Sequence, residues 1–162
     1  AAKQLKQNII LNVQGDEPLV SPEDIKKVLK IAIKNPNNIF NAMCPITNEE
    51  DYLSLSVPKV VFSKNNELIY MSRAPIPHNK KGTFKIAWKQ VCIYAFPKSA
   101  LSKFATEKKT LLESIEDIEI LRFIELGFNV KMVEVSKSSI SVDFPEDIKR
   151  VEDEILKRSS KL

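Results

Sequence analysis

Short apolar runs alternate with amphipathic helical patterns along this chain, and that alternation restricts the fold more than any other feature. The run "NIILNV", shortly before Gly15, has the continuous apolar character of a strand buried on both faces. It is followed by "SPEDIKKVLKIAIKN", in which Ser21 is placed to cap a helix and Pro22 to occupy its first position. Strands interleaved with helices predict an α/β fold, with a sheet flanked by helices.

The later segments extend this prediction. "IFNAMCPI" and "WKQVCIYAFP" are typical of strands, and "PKVVFSKNNELIYMSR" is typical of a hairpin that turns at Asn65 and Asn66. "TNEEDYLSLS" predicts a short helix capped by Thr47, and Pro145 is placed to begin the last helix. We expect a mixed, mostly parallel sheet with an antiparallel hairpin extension, in a single domain over 1–162.

The segment "TLLESIEDIEILRFIELG" carries the strongest helical periodicity in the chain. It predicts one long helix that ends before Gly127 and buries one stripe of apolar side chains in the core. The stripe consists of Leu112, Ile115, Ile118, Leu121 and either Phe123 or Ile124.

Composition and charge exclude several classes of protein. The net charge is only +4, and basic residues are mixed with acidic ones, which indicates solvated helix faces and not a nucleic-acid surface. There is no apolar run long enough to cross a membrane. Cys44 and Cys92 lie in apolar runs without metal-site spacing, which favours buried free thiols in a reducing compartment. We therefore expect a cytoplasmic protein.

Two aspartates occupy loops of the kind that bind ligands in α/β sheets. Asp16 follows the first strand, in "QGDEP", and Asp143 precedes the last helix, in "SVDFPED". Mg²⁺ takes one or two protein carboxylates and leaves its other positions to water and phosphate oxygens, so this pair suits it. The pattern alone leaves an alternative open, in which Asp16, Glu17 and Asp143 are turn residues or partners of helix N-termini.

Five segments in the same order carry a family resemblance. They are "NVQGDEPLV", "VPKVVFSKNNELIYMSRAPIP", "KQVCIYAF", "LLESIEDIEILR" and "SVDFPEDIKRVE". Together they resemble the 3-deoxy-manno-octulosonate cytidylyltransferase family, the CMP-Kdo synthetases of lipopolysaccharide synthesis. The resemblance covers nearly the whole chain and implies the Rossmann-like fold of the nucleotide-diphospho-sugar transferases.

The resemblance implies a reaction in which the anomeric hydroxyl of a sugar acid attacks the α-phosphorus of CTP, with Mg²⁺ as cofactor. It assigns Asp16 and Asp143 to the metal and Arg73 to the sugar carboxylate, which suits the planar fork of a guanidinium. The residues implied to border the sugar are Gln14, Gln90, Tyr94, Glu113, Glu116 and Glu119. Lys59 matches a family lysine without an assigned role, and His78 is expected to be an exposed loop residue.

Several positions depart from the family pattern. Gln90 stands where the family has a histidine, Cys92 where it has a glycine, Ile120 where it has a glutamine, and Phe144 where it has a threonine. Gln90 can still form a hydrogen bond, whereas Ile120 cannot, and this affects the choice of sugar. The substrate is therefore Kdo or another sugar acid, of the sialic type or an amino-Kdo. A non-catalytic, dimerising remnant is a further alternative.

Family members begin with a strand and a glycine-containing phosphate loop, and this sequence has only three glycines and no such loop. We therefore expect the chain to correspond to the C-terminal two thirds of a cytidylyltransferase domain and to be inactive alone. The expected partners are CTP, a sugar acid and a second copy in a homodimer, with no nucleic acid and no membrane.

Overall fold

The computed structural model describes residues 4–136, 140–142 and 144–160. One six-stranded sheet is flanked by helices, as the alternation predicts. The strands are β1 (Ile9–Val13), β2 (Ile39–Pro45), β3 (Lys59–Phe62), β4 (Leu68–Ser72), β5 (Trp88–Pro97) and β6 (Val130–Glu134). The helices are α1 (Pro22–Lys34), α2 (Glu49–Leu53), α3 (Lys98–Thr106), α4 (Leu111–Glu116), α5 (Ile120–Glu125) and α6 (Pro145–Ser159).

The sheet has the order β4-β3-β5-β2-β6, and β1 pairs with β5 beside β3. The predicted mixed sheet is confirmed, and so is the antiparallel hairpin of β3 and β4. The expected majority of parallel pairings is wrong. Strands β1, β2, β3 and β6 do share one direction, but β5 lies between β2 and both β1 and β3 and runs against all three. Among the described strands, β2 and β6 are consequently the one parallel pair.

Local sequence signals account for several of these boundaries. Ser21 caps α1 by accepting a hydrogen bond from the N–H of Glu23 at 3.2 Å, with Pro22 at the first helical position. The hairpin turns with Asn66 at a φ of 58°, a left-handed conformation that asparagine tolerates. At α2 the cap is Asn48 and not Thr47 as predicted, since the Asn48 side chain accepts from the N–H of Asp51 at 2.7 Å.

The predicted long helix is wrong: the segment forms two short helices, α4 and α5, that break at Asp117. Asp117 adopts a left-handed conformation with φ 52° and ψ 50°. The break is stabilised from outside the segment, because the Arg73 side chain donates to the carbonyls of Glu116 and Asp117 at 2.7 and 3.1 Å. It also changes the apolar stripe, so that Ile118 is buried while Ile115 is 69% exposed.

The sheet has an apolar core on each face. On one face, Met43, Tyr94 and Phe96 pack with residues of α3 and α5, including Phe123. On the other face, α1 packs through Val28 and Ala32 onto Phe40 and Ile93 and their neighbours. β2 and most of β5 are thus buried on both faces. The burial on both faces predicted for β1 is wrong, because its residues are half-buried or exposed.

Candidate active site

A cavity of about 520 Å³ opens where β5 changes its partner strand. In β5, residues Ile93 to Pro97 pair with β1, whereas Trp88 and Lys89 pair with β3. Residues 90–92 lie between these two pairings, and all three line the cavity at the carboxyl end of β1. Such strand ends are where α/β sheets commonly bind ligands.

The acidic turn after β1 is hydrogen-bonded to β5 in the gap between these two pairings. Glu17 is 6% exposed, and its Oε1 accepts a hydrogen bond from the N–H of Cys92 at 3.0 Å. The N–H of Gln14 donates to the carbonyl of Cys92 at 3.1 Å. The neighbouring Asp16 is exposed and lines the cavity. The two acids after β1 therefore do different things, since Glu17 holds the turn in place and Asp16 lines the cavity.

Asp143, the second predicted metal ligand, lies outside the described residues. The residue before it, Val142, donates its N–H to the carbonyl of Asp16 at 2.8 Å, and the residue after it, Phe144, lines the cavity. Within the described ranges, no group of three or more histidine, cysteine or acidic side chains could hold a metal ion.

Six of the predicted site residues line this one cavity although they come from distant parts of the sequence. They are Gln14, Asp16, Arg73, Gln90, Tyr94 and Glu119. The Tyr94 hydroxyl lies 3.5 Å from Oε1 of Gln14, within reach of a weak hydrogen bond. Burial raises the pKa of the Tyr94 phenol and that of the Cys92 thiol, so both groups stay protonated at neutral pH.

Gln90 is oriented by a residue that sequence reasoning missed. Asn41 is fully buried at a bulge of β2, where its Nδ2 donates to the carbonyls of Val91 and Ile93 at 3.1 and 3.2 Å. Its Oδ1 accepts a hydrogen bond from Nε2 of Gln90 at 2.9 Å. A buried asparagine inside the apolar run "IFNAMC" was a signal that could have found it, because buried polar groups require partners.

The structure places Glu113 and Glu116 outside the cavity wall, in contrast to the predicted contact with the sugar. Glu113 is fully buried and forms a bidentate ion pair with Arg122, whose Nε and Nη2 donate at 2.5 Å each. The hydrogen bonds from Arg122, together with those of the backbone, outweigh burial and lower the pKa of Glu113. This pair fixes α4 against α5, and its geometry leaves Glu113 a structural role.

Glu116 has its carboxylate directed toward the end of β4. It accepts hydrogen bonds from Ser72 Oγ at 2.6 Å, from the Arg73 N–H at 2.9 Å and from the Tyr70 hydroxyl at 3.0 Å. Burial alone would raise its pKa, but these three donors lower it. Glu116 therefore binds other groups of the protein, and it is not among the residues that line the cavity.

Arg73 lines the cavity while most of its donors bind main-chain carbonyls. Nε donates to Glu116, Nη2 to Asp117 and Nη1 to Leu55, at 2.7, 3.1 and 2.9 Å. Nη1 also donates to the carbonyl of Ser56 at 3.5 Å, so both of its N–H groups face acceptors. A guanidinium has five N–H groups, and Nη2 therefore keeps one donor beyond these bonds. Arg73 thus joins the break between α4 and α5 to the loop after α2, a structural role that the sequence did not indicate.

Lys59 and His78 occupy contrasting places. Lys59 is fully buried beside this wall, and its Nζ donates to the carbonyls of Ser54 and Arg73. Burial and the nearby charge of Arg73 lower the pKa of Lys59 to about 8, against an opposing effect of Glu116. His78 is exposed, as expected, with Nδ1 3.2 Å from the hydroxyl of Tyr52.

Comparisons with known proteins place this geometry in a wider context. The sequence profile of a family described as cytidylyltransferase matches residues 1–136. Two curated relatives carry the name 3-deoxy-manno-octulosonate cytidylyltransferase. One, from Christiangramia forsetii, is 33% identical over 154 residues, and one, from Nitratiruptor sp., is 36% identical over 148 residues. The alignments cover 93% and 90% of this chain and 62% of each relative, so the chain spans less than two thirds of their length.

A solved structure shows a similar fold. It is described as CMP:2-keto-3-deoxy-manno-octonic acid synthetase complexed with CTP, and it matches with a TM-score of 0.86 and 27% sequence identity. The match covers 96% of this chain and 65% of the solved one. Across the described residues, no helix combines the length and the apolar character that a membrane span requires.

Proposed function

This chain belongs to the cytidylyltransferase family, and from that premise we propose that the protein transfers CMP from CTP to a 2-keto-3-deoxy sugar acid. The proposed substrate is Kdo, giving CMP-Kdo and pyrophosphate for lipopolysaccharide synthesis. The observation that carries the proposal is the cavity beside β5, which gathers a carboxylate, a guanidinium and uncharged hydrogen-bonding side chains at one strand end. The names of the relatives support Kdo as the sugar acid.

The donor set at the strand end fits Mg²⁺. Asp16 offers an exposed carboxylate at the cavity, and hard oxygen donors of this kind suit a small divalent cation that keeps its remaining positions for phosphate oxygens and water. We propose that Asp16 and Asp143 hold the ion. When bound, Mg²⁺ would neutralise phosphate charge and lower the pKa of the attacking hydroxyl.

The other cavity residues would bind and orient the sugar acid. Nη2 of Arg73, which donates to one carbonyl only, is proposed to pair with its carboxylate. Gln14, Gln90, Tyr94 and Glu119 are proposed to hydrogen-bond its hydroxyls, with Tyr94 as a neutral donor because its phenol stays protonated. The anomeric hydroxyl would then lose its proton to water while its oxygen bonds to the α-phosphorus, the bond from phosphorus to the bridging oxygen breaks, and pyrophosphate leaves. Positioning accounts for much of the rate of such transfers.

A second sugar acid is supported by the residues around position 120. Ile120 is 3% exposed and, with Tyr94, Glu119 and several phenylalanines, lines a smaller cavity of about 220 Å³. Ile120 cannot form the hydrogen bond of the family's glutamine, so a sugar acid of the sialic type or an amino-Kdo is the alternative substrate. A panel of sugar acids, with the CMP-sugar identified by mass spectrometry, separates these substrates.

No glycine lines the described part of the cavity, whereas glycine-rich loops commonly bind triphosphates. The sequence has three glycines and no glycine-rich phosphate loop, and the curated relatives extend beyond the matched part. We propose that the 162-residue chain is inactive by itself. We propose a reducing, cytoplasmic location, because the thiols of Cys44 and Cys92 lie buried and half-buried in the strands β2 and β5.

We also propose a homodimer formed through the hairpin and the loop that follows it. β4 lies at the end of the strand order, where a further strand could pair. Ile69 on β4 and Ile86 in the loop are 57% and 56% exposed, which gives this edge apolar side chains for a second copy to cover.

The proposed function is tested by incubating the full-length gene product with CTP, Mg²⁺ and Kdo and identifying the products by mass spectrometry. CMP-Kdo and pyrophosphate in equal amounts are expected. Formation of a different CMP-sugar would correct the substrate, and the absence of any CMP-sugar across the panel would contradict the proposal.

A further inference from the structure

The buried ammonium of Lys59 is the charged group in this fold whose position the proposed chemistry does not explain. Its side chain is fully buried on β3. Nζ donates to the carbonyl of Ser54 at 2.6 Å and to the carbonyl of Arg73 at 2.5 Å. Burying an ammonium is costly, and an apolar side chain of the same volume would avoid that cost. The charge therefore has a role other than filling space.

The two carbonyls that Lys59 holds belong to two segments of the cavity wall. Ser54 begins the loop after α2, which contributes the wall residues 55–58. Arg73 follows β4 and lies in the same wall. The Arg73 guanidinium crosses back to this loop at the carbonyl of Leu55, 2.9 Å away. Lys59 and Arg73 thus cross-link the same two segments.

The backbone of Arg73 is held on both sides by ionic side chains. Its N–H donates to the Glu116 carboxylate at 2.9 Å, and its carbonyl accepts from the Lys59 ammonium. Charge-assisted hydrogen bonds of this kind are about twice as strong as neutral ones. Both polar backbone atoms of the residue proposed to bind the sugar carboxylate are fixed in this way.

We propose that Lys59 is a positioning residue that holds the Arg73 backbone against the loop after α2 and so sets where the guanidinium meets the sugar acid. The inference rests on the proposed function, because it takes Arg73 as the group that binds the carboxylate. Lys59 itself does not touch the substrate.

The first test is steady-state kinetics of the full-length protein with Lys59→Met. The substitution keeps a long unbranched side chain and removes the hydrogen-bond donors. The KM for the sugar acid should rise by about tenfold to a hundredfold, since a misplacement of about 1 Å costs up to that much. The KM for CTP should change by less than about twofold, as expected when one ligand's contacts are affected. Equal losses for both substrates would overturn a role specific to the sugar acid.

The matched control is Val60→Ala, the next residue on β3, which is 1% exposed. It should lower the melting temperature without raising the KM for the sugar acid. If Val60→Ala raises this KM as much as Lys59→Met does, Lys59 acts through general stability and the proposal is wrong. If Lys59→Met does not fold, Lys59→Gln, which keeps an amide donor, is measured instead. Failure of both variants to fold would identify Lys59 as a folding residue and overturn the proposal.

The second test does not require turnover. The Nε–H signal of Arg73, assigned by its loss in Arg73→Lys, should exchange slowly with solvent because it donates to Glu116. In Lys59→Met its exchange should be at least about tenfold faster, as expected for local opening, and in Val60→Ala it should be unchanged. Unchanged exchange in Lys59→Met would overturn the proposal. A protein without turnover whose exchange responds as expected would refute the proposed function and keep the positioning role.

Discussion

The carboxylate of Glu17 accepts a hydrogen bond from the backbone N–H of Cys92 at 3.0 Å. Cys92 lies in the gap between the part of β5 that pairs with β1 and the part that pairs with β3. This bond satisfies a backbone donor that the sheet leaves at the gap. It also fixes the turn that carries Asp16. A side chain outside the proposed chemistry therefore controls the place of the proposed metal ligand.

Glu17→Ala should consequently reduce both stability and turnover. We expect the free energy of unfolding to fall by about 1–3 kcal/mol, the cost of a buried unsatisfied donor. We expect kcat to fall by about tenfold to a hundredfold as Asp16 moves. Glu17→Gln keeps an oxygen acceptor and should retain most of both quantities. Denaturant unfolding and initial rates test this, and equal losses in the two variants would show that the charge of Glu17, and not its hydrogen bond, matters.

The ion pair between Glu113 and Arg122 should make stability depend on pH. The pKa of Glu113 is lowered in the fold, so its contribution is present above the unfolded value of about 4.3 and is lost as the pH falls below it. Glu113→Gln should cost about 3 kcal/mol at pH 7. The difference from the native protein should be constant above the unfolded value and should shrink as the pH falls below it. A difference in unfolding free energy that stays constant as the pH falls below this value would contradict the assignment.

Arg73→Lys should affect binding of the sugar acid and stability together. A lysine keeps the charge but cannot reach the carbonyls of Leu55, Glu116 and Asp117 at once. We expect the KM for the sugar acid to rise by about tenfold or more, as for the loss of a charge-assisted bond. We expect a loss of about 1–3 kcal/mol in unfolding free energy. An unchanged KM with reduced stability would leave Arg73 a structural role alone.

The proposed dimer interface predicts a specific response to charge. Ile69→Lys should raise the dimer dissociation constant by at least about tenfold, because it places a charge in an apolar contact. Ile33→Lys, on α1 and 60% exposed in the native protein, is the control and should leave association unchanged. Sedimentation velocity over a concentration series measures both. A protein that is monomeric at all concentrations would contradict the dimer.

The fold was predictable wherever local signals agree with burial. The cap and proline at the start of α1 and the asparagines of the hairpin lead to the observed elements. The break at Asp117 was not predictable, because helical periodicity continues through it and the stabilising donors come from Arg73, far away in the sequence. The position of β5 between three antiparallel neighbours likewise depends on pairings that local sequence does not encode.

For the candidate site, residue type and loop position predicted several of the residues at the cavity but not the hydrogen bonds that hold them in place. Asp16 was predicted from its loop position after β1 and from the family resemblance, and the structure brings it together with Arg73 and Gln90. The bonds of Glu17 and Asn41 depend on the gap and the bulge of β5 and β2, which appear only in three dimensions. Glu113 and Glu116 share the spacing of Glu119, yet the break at Asp117 leaves only Glu119 at the cavity.

The most direct test of the central claim is pyrophosphate release by the full-length protein with CTP, Mg²⁺ and Kdo, compared with its Asp16→Ala variant. Asp16 is exposed, so the variant should fold with an unfolding free energy within about 0.5 kcal/mol of the native protein. We expect turnover by the native protein and a decrease of about a hundredfold or more in the variant, the scale of losing an electrostatic stabiliser. Turnover that is unchanged by Asp16→Ala, or no release with any sugar acid, would contradict the account.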